Sequence, residues 1–319
     1  MGIYDLFFGG VSFNPANDIP SLEGKVIVVT GGNSGLGKQS ILQLAKHGHP
    51  KEIWLASRSA ERAQEAVDEI KKEVPDAPIK TLSLDLTSFD SIRDAAKRVT
   101  QETDRLDILM LNAGIMATPA GQTKEGYEIQ FGTNHVGHAL FTRLLTPLLL
   151  KTAAEKPNSD VRVVVLSSFA HVGAPVMSGG IVFDTLKTAQ PEQMTWTRYG
   201  QSKLANILFA SQMAKRYPQI TTVSLHPGSV RTNLTSAFAG NSIVHGLSTW
   251  VAMGVLGVNV EKGARNQLWA ATAPKDKLVN GEYYDPVGKP GMRIPYARDE
   301  KLAEKLWDWT EKEIEGVSI

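Results

Sequence analysis

Cysteine is absent from this chain of 319 residues, so disulfides, thiolate catalysis and cysteine-ligated metal sites are excluded from the start. Excess charge is missing too. Lys and Arg number 34 against 33 Asp and Glu, a formal net charge of +1, which gives no electrostatic footprint for nucleic acid. The opening residues, Met1, Gly2, Ile3, Tyr4, Asp5, Leu6, Phe7 and Phe8, lack the basic stretch and long apolar core of a signal peptide. Gly2 is not supported as a myristoylation site, because Leu6 stands where Ser or Thr belongs. Residues 1–24 are therefore expected to form an arm packed on the body. Long hydrophobic runs are also scarce. Residues 232–260 carry no Asp, Glu, Lys or Arg, yet Asn241, Ser242, His245, Ser248, Thr249 and several glycines keep them short of a membrane-crossing helix. An apolar lid over a pocket suits this segment, and peripheral contact with a membrane is compatible with it. The absence of cysteine suits a reducing compartment, so the expected location is cytoplasmic.

What is present is enough hydrophobic residue, 42%, to bury a full core. Apolar, β-branched runs at 26–30, 53–56, 79–84, 106–111, 161–167 and 221–225 read as strands buried on both faces. Helical patterns at 36–47, 60–74, 88–103, 126–150 and 198–217 lie between or after them. A mixed-charge amphipathic helix is expected over 300–315. Such alternation predicts an α/β fold: one Rossmann-type, doubly wound parallel sheet with helices on both faces and a C-terminal lid extension. No repeat, low-complexity tract or linker divides the chain, so 1–319 is expected to be a single domain.

Two constellations carry chemistry. The strand at 26–30 runs into Gly31, Gly32, Asn33, Ser34, Gly35, Leu36 and Gly37 and then a helix. Glycines let backbone approach a pyrophosphate, whose charge sits at the helix N-terminus. An acidic residue about 20 positions further on would take the ribose 2′-hydroxyl of NAD. Here Ser57 and Arg58 stand at that place. Serine does not repel a 2′-phosphate and arginine grips one, so NADP(H) is the expected cofactor. Far downstream, Tyr199 and Lys203 are one helical turn apart and share a face. A free phenol titrates at about pH 10, and a neighbouring ammonium is expected to lower that value toward neutrality.

These residues resemble the classical short-chain dehydrogenases/reductases over nearly the whole chain. Thr30, Gly31, Gly35 and Gly37 fit the family's T-G-x-x-x-G-x-G, and Asp85 and Leu86 resemble its adenine-contacting pair. Asn112, Ala113 and Gly114 match its N-A-G, and Asn134 stands in a phrase like that of its helix asparagine. Ser168 ends the fifth strand ahead of Tyr199 and Lys203, and His226, Pro227, Gly228, Ser229, Val230, Arg231 and Thr232 resemble the segment that closes over the nicotinamide. Asn134-His135-Val136-Gly137-His138, Ser167-Ser168-Phe169-Ala170-His171 and the 31-residue interval from Ser168 to Tyr199 are similar to the retinol dehydrogenase, WW-domain oxidoreductase and protochlorophyllide reductase branch.

The resemblance implies an enzyme that reduces a carbonyl, or oxidises the alcohol, by hydride transfer. It assigns Asn134, Ser168, Tyr199 and Lys203 to catalysis. Tyr199 exchanges the proton, Ser168 holds the oxygen, Lys203 tunes the phenol and binds the nicotinamide ribose, and Asn134 anchors a relay water. Cofactor contacts are implied for Gly31, Asn33, Ser34, Gly35, Leu36, Gly37, Ser57, Arg58, Asp85, Leu86, Asn112, Ala113, Gly114, Tyr199, Lys203, Pro227, Gly228, Val230 and Thr232. Ser167 is the rival for the serine role. His135, His138 and His171 lack a partner glutamate in an H-E-x-x-H motif, so packing or lining the site is expected rather than a metal. Met116, Phe169, Trp196, Phe238 and Trp250, with Ile115, Leu247 and Met253, are candidates to wall a pocket for a lipophilic small molecule. Monomer and homodimer both fit. The alternative is an NADP(H)-binding redox sensor or partner protein without turnover, which a complete proton-transfer set argues against.

Overall fold

The structure, a computed structural model, describes residues 10–155, 159–174, 179–230 and 257–319. Valine, isoleucine and leucine dominate the central strands, where branched side chains on both faces suit burial between two helix layers. β1 (Val26–Thr30), β2 (Glu52–Ser57), β3 (Ile79–Ser83), β4 (Ile108–Leu111), β5 (Arg162–Leu166), β6 (Thr221–Leu225) and β7 (Tyr283–Asp285) run parallel, and β8 (Lys289–Pro290) turns back antiparallel. The sheet order is β3-β2-β1-β4-β5-β6-β7-β8. Its direction of growth reverses between β1 and β4, which opens a crevice at their C-terminal ends, the usual ligand position in such sheets.

Among the described residues the longer helices are α1 (Gly35–Gln43), α2 (Ala60–Glu73), α3 (Phe89–Glu102), α4 (Gly137–Ala154), α5 (Thr195–Arg216), α6 (Val260–Thr272) and α7 (Glu300–Glu313). Strand residues alternate between two cores. Val26 and Val28 face a core shared with α3, α4, α5 and α7, while Ile27 and Val29 face one shared with α1, α2 and α6. The expected doubly wound sheet is therefore present. Among the described residues no helix is long and apolar enough to cross a membrane.

Several expectations are refined. The pattern over 126–150 is not one helix: a turn at Ile129–Phe131 leads into a π-helical turn, Gly132–Val136, and only then into α4. Strand 106–111 shortens to Ile108–Leu111, since the Leu106 amide is taken by Thr152 Oγ1 (2.8 Å) and Asp107 is engaged by Arg105. α6 and the β7–β8 pair are additions for which no periodic signal was found. Asn259 caps α6 and Val258 bridges to Val230, so the last residues of the expected lid belong to the body. The rest of that lid, and residues 1–9 of the arm, lie outside the described residues. Within 10–24, Phe13, Ile19 and Leu22 are buried against the body.

Candidate active site

The loops at the C-terminal ends of β1, β4, β5 and β6 converge on α5. After β1, Gly31 takes a positive φ of 66°, and a methyl at Gly37 would stand 2.3 Å from the Gly31 carbonyl oxygen. Only bare backbone fits that turn. Ser34 caps α1 without a side-chain hydrogen bond, so the first-turn N–H groups of α1 keep no side-chain acceptor. These features suit an anionic diphosphate at the helix end. Asn112 is bound beneath the turn: its Nδ2 donates to the Thr30 carbonyl (2.8 Å), and its Oδ1 accepts from Gln267 on α6 (3.3 Å). Ala113 N–H donates to Thr30 Oγ1 (2.9 Å).

At the end of β2, Ser57 is buried and its Oγ exchanges hydrogen bonds with the Ser59 backbone. Arg58 is exposed and makes no hydrogen bond or ion pair among the described residues, so its guanidinium is free for an anion. Asp85 spends Oδ1 on the Thr87 amide (2.9 Å) and hydroxyl (2.7 Å), and Leu86 packs against Gly137. Pro227, Gly228 and Val230 follow β6, with Gly228 at φ 88° and Val230 paired to Val258. Thr232, Phe238, Leu247, Trp250 and Met253 lie outside the described residues.

The structure brings Tyr199, Lys203, Ser168, Asn134 and Gly114 together. Lys203 Nζ donates to the Leu166 carbonyl (3.0 Å), which also accepts from Asn206 (2.9 Å), and lies 5.5 Å from the Tyr199 ring centroid. A methyl on Gly114 would stand 3.1 Å from Asn134 Oδ1 and 3.5 Å from Lys203 Nζ, so the loop after β4 abuts the pair. Ser168 faces the phenol closely enough to draw its pKa down. Ser167 is turned away: its hydroxyl donates to the Lys203 carbonyl (2.7 Å).

The electrostatics differ from the sequence expectation. Burial dominates and pushes the Tyr199 phenol up to about 12, with Ser168 opposing. Burial also brings the Lys203 ammonium down to about 7. Asn134 differs too. Its Oδ1 accepts from Ile115 N–H (2.9 Å), and its Nδ2 donates to the Ile115 carbonyl (2.9 Å) and Ser202 Oγ (2.9 Å). The amide is thus committed to holding loop and helix together, in a π turn of the kind often found at functional sites. His138 Nδ1–H donates to the Asn134 carbonyl (3.0 Å), which leaves Nε2 to accept from Thr30 Oγ1–H (2.9 Å). His135 instead meets Thr310 on α7 (2.9 Å).

Around the mouth, Phe169 is 46% and Trp196 37% exposed, and the Trp196 ring lies 6.1 Å from that of Tyr199. Met116 is buried in the loop after β4. Several nearby residues were not singled out by sequence. Ala117, at φ 52°, donates its N–H to Gln130 Oε1 (2.8 Å). Arg198 grips Glu128 (2.9 Å) and the Thr118 carbonyl (3.1 Å), which fixes that loop to the first turn of α5. Nothing local marks these pairs, because their members are far apart in the chain.

A sequence profile of the short chain dehydrogenase family matches residues 25–179. An uncharacterized oxidoreductase of Schizosaccharomyces pombe is 39% identical over 308 residues, covering 94% of this chain and 88% of its own. Human retinol dehydrogenase 13 is 37% identical over 296 residues, covering 90% of this chain and 83% of its own. The crystal structure of an uncharacterized protein from Mycobacterium paratuberculosis aligns with a TM-score of 0.71 at 27% identity, covering 95% of this chain and 97% of that one.

Proposed function

This chain belongs to the short-chain dehydrogenase/reductase family, with relatives in its retinol dehydrogenase branch, and on that premise we propose that it is an NADP(H)-dependent reductase of lipophilic carbonyl compounds. Membership makes it an oxidoreductase that uses a nicotinamide cofactor to interconvert carbonyl and alcohol. NADP(H), the lipophilic substrate and the residue roles are our own reading. The observation that carries it is the convergence of Tyr199, Ser168 and Lys203 beside Gly114 at the sheet's C-terminal edge.

The bound nicotinamide supplies or accepts the hydride. Gly31, Gly35, Leu36 and Gly37 would hold its diphosphate with Asn33 and Ser34, and Arg58 its 2′-phosphate. Asp85, Leu86, Asn112, Ala113, Gly114, Pro227, Gly228 and Val230 would complete the cleft. During reduction the substrate oxygen gains negative charge. Tyr199 donates its phenolic proton to that oxygen, and Ser168 stabilises it by a hydrogen bond. A phenol held up to about 12 is protonated at neutrality and suits a strongly basic alkoxide. Lys203, near 7, exchanges a proton readily at the same pH. The Asn134 side chain positions Ile115 and Ser202.

The exposed Phe169 and Trp196, with Met116, form an apolar approach, and a relative named for retinol acts on a lipophilic alcohol. α7 lies across α4 and α5 and stacks Trp307 on Phe209 (5.7 Å), which favours a monomer over a dimer through those helices. The complete proton-transfer set favours turnover over a sensor role. NADPH consumption with a panel of lipophilic ketones and aldehydes tests the proposal, after NADPH binding is confirmed. Turnover is expected to vanish in Tyr199→Phe. A preference for NADPH over NADH of about ten- to hundred-fold is expected to shrink in Arg58→Ala. Full activity in Tyr199→Phe, or preference for NADH, would overturn it.

A further inference from the structure

Ser168 is held in place by a neighbouring imidazole, that of His171. It caps the 3-10 turn Phe169–Gly173, where its Oγ accepts from Ala170 N–H (3.1 Å) and so keeps its own proton free to donate. Its carbonyl accepts twice from His171, from the backbone N–H (3.1 Å) and from Nδ1–H (2.8 Å). The second bond engages Nδ1 and leaves His171 Nε2 buried, toward the segment that carries Met292.

The His171 ring is clamped from the far edge of the sheet. Tyr283 meets it edge-on with centroids 5.3 Å apart. Tyr283 and Asp285 alternate onto one face of β7, and the returning segment fixes both. Gly291 N–H donates to the Tyr283 carbonyl (2.7 Å), and Met292 N–H to Asp285 Oδ2 (3.2 Å). Tyr283 and Asp285 lie side by side there, and burial together with the neighbouring carboxyl pushes the Tyr283 phenol up. Polar groups are costly to bury, so apolar packing alone does not account for this set.

We propose that His171 is a positioning residue for Ser168: its Nδ1–H aims the serine, and the β7–β8 hairpin, through Tyr283, holds the imidazole in place. This rests on the reading of Ser168 as the partner of the reacting oxygen. The predicted signature is non-additivity. His171→Phe keeps a ring against Tyr283 and loses the donor. It should lower kcat about tenfold, the size expected for one hydrogen bond, and leave NADPH affinity and the carbonyl KM within about twofold. His171→Asn, which keeps a donor, should recover much of the loss. In a Ser168→Ala background, His171→Phe should add nothing. A full additional loss in that background would overturn the proposal while Tyr199→Phe still abolishes turnover. Full activity in Tyr199→Phe would instead sink the functional reading beneath it. A crystal structure of His171→Phe decides the matter without turnover. Displacement of Ser168 Oγ from Ala170 N–H supports the proposal, and an unmoved serine overturns it.

Discussion

Glu128 and Arg198 form an ion pair almost without solvent access, with side chains 0% and 4% exposed and 2.9 Å between them. The pair ties the segment leading into the π turn to the residue preceding Tyr199. Glu128→Gln leaves an acceptor for Phe131 N–H, which now bonds Oε2 at 2.6 Å. It also strands the guanidinium charge among the Thr118 and Pro119 carbonyls. Removing one member of a buried pair costs about 3–5 kcal/mol. At about 2 °C per kcal/mol for a chain of this size, the melting temperature should fall by roughly 6–10 °C. Glu128→Gln combined with Arg198→Met removes the stranded charge, while Thr195 Oγ1 still holds the Thr118 carbonyl (2.8 Å). The double variant should therefore be more stable than Glu128→Gln alone. Scanning calorimetry without cofactor, at low and high salt, is the assay, because a buried pair escapes screening. A shift below about 2 °C in Glu128→Gln would refute the reasoning, as would a double variant losing the sum of both singles.

Acid should weaken the fold below pH 6.5. Burial holds His135 near 3 and His138 and His226 near 4, so the unfolded chain takes up protons first and each group loses about 1.4 kcal/mol of stability per pH unit between 6.5 and its folded value. Urea midpoints unchanged between pH 7 and 5 would contradict this. Lys203 extends the same trend to higher pH in cofactor-free protein. Its folded value near 7 lies below the unfolded one, so the unfolded chain holds the extra proton and stability rises as pH climbs from 7 to 9. Lys203→Met should flatten that rise, and an identical pH slope in the variant would count against it.

How much was legible depended on whether the signal was local. The turn from β1 into α1 was readable because the valine run, the glycines and the helix lie in one stretch of chain. Tyr199 and Lys203 were readable because one helical turn separates them. The choice of Ser168 over Ser167 followed from the family resemblance, since alternation says only that adjacent serines point opposite ways, and the structure turns Ser167 away onto the Lys203 carbonyl. By contrast, Glu128 and Arg198 meet across 70 residues, and nothing near either announces the other. α6 escaped notice because Gly263, Asn266 and Gln267 interrupt its apolar face. Their burial makes sense only in three dimensions, where Asn266 donates to the His226 carbonyl (2.7 Å) and Gln267 reaches Asn112.

The phenol shows the same limit in electrostatic form. The sequence places a cation one turn from Tyr199 and so argues for a lowered pKa. It cannot state how far both groups are removed from water. Desolvation disfavours phenolate and ammonium alike, so it raises one value and lowers the other. Their separation, from about 12 to about 7, makes the cofactor-free pair a neutral phenol beside a lysine near its midpoint. A neutral phenol is a proton donor, which is what carbonyl reduction requires of Tyr199. In the oxidising direction the same residue must first lose its proton, so alcohol oxidation should depend on pH more steeply than carbonyl reduction.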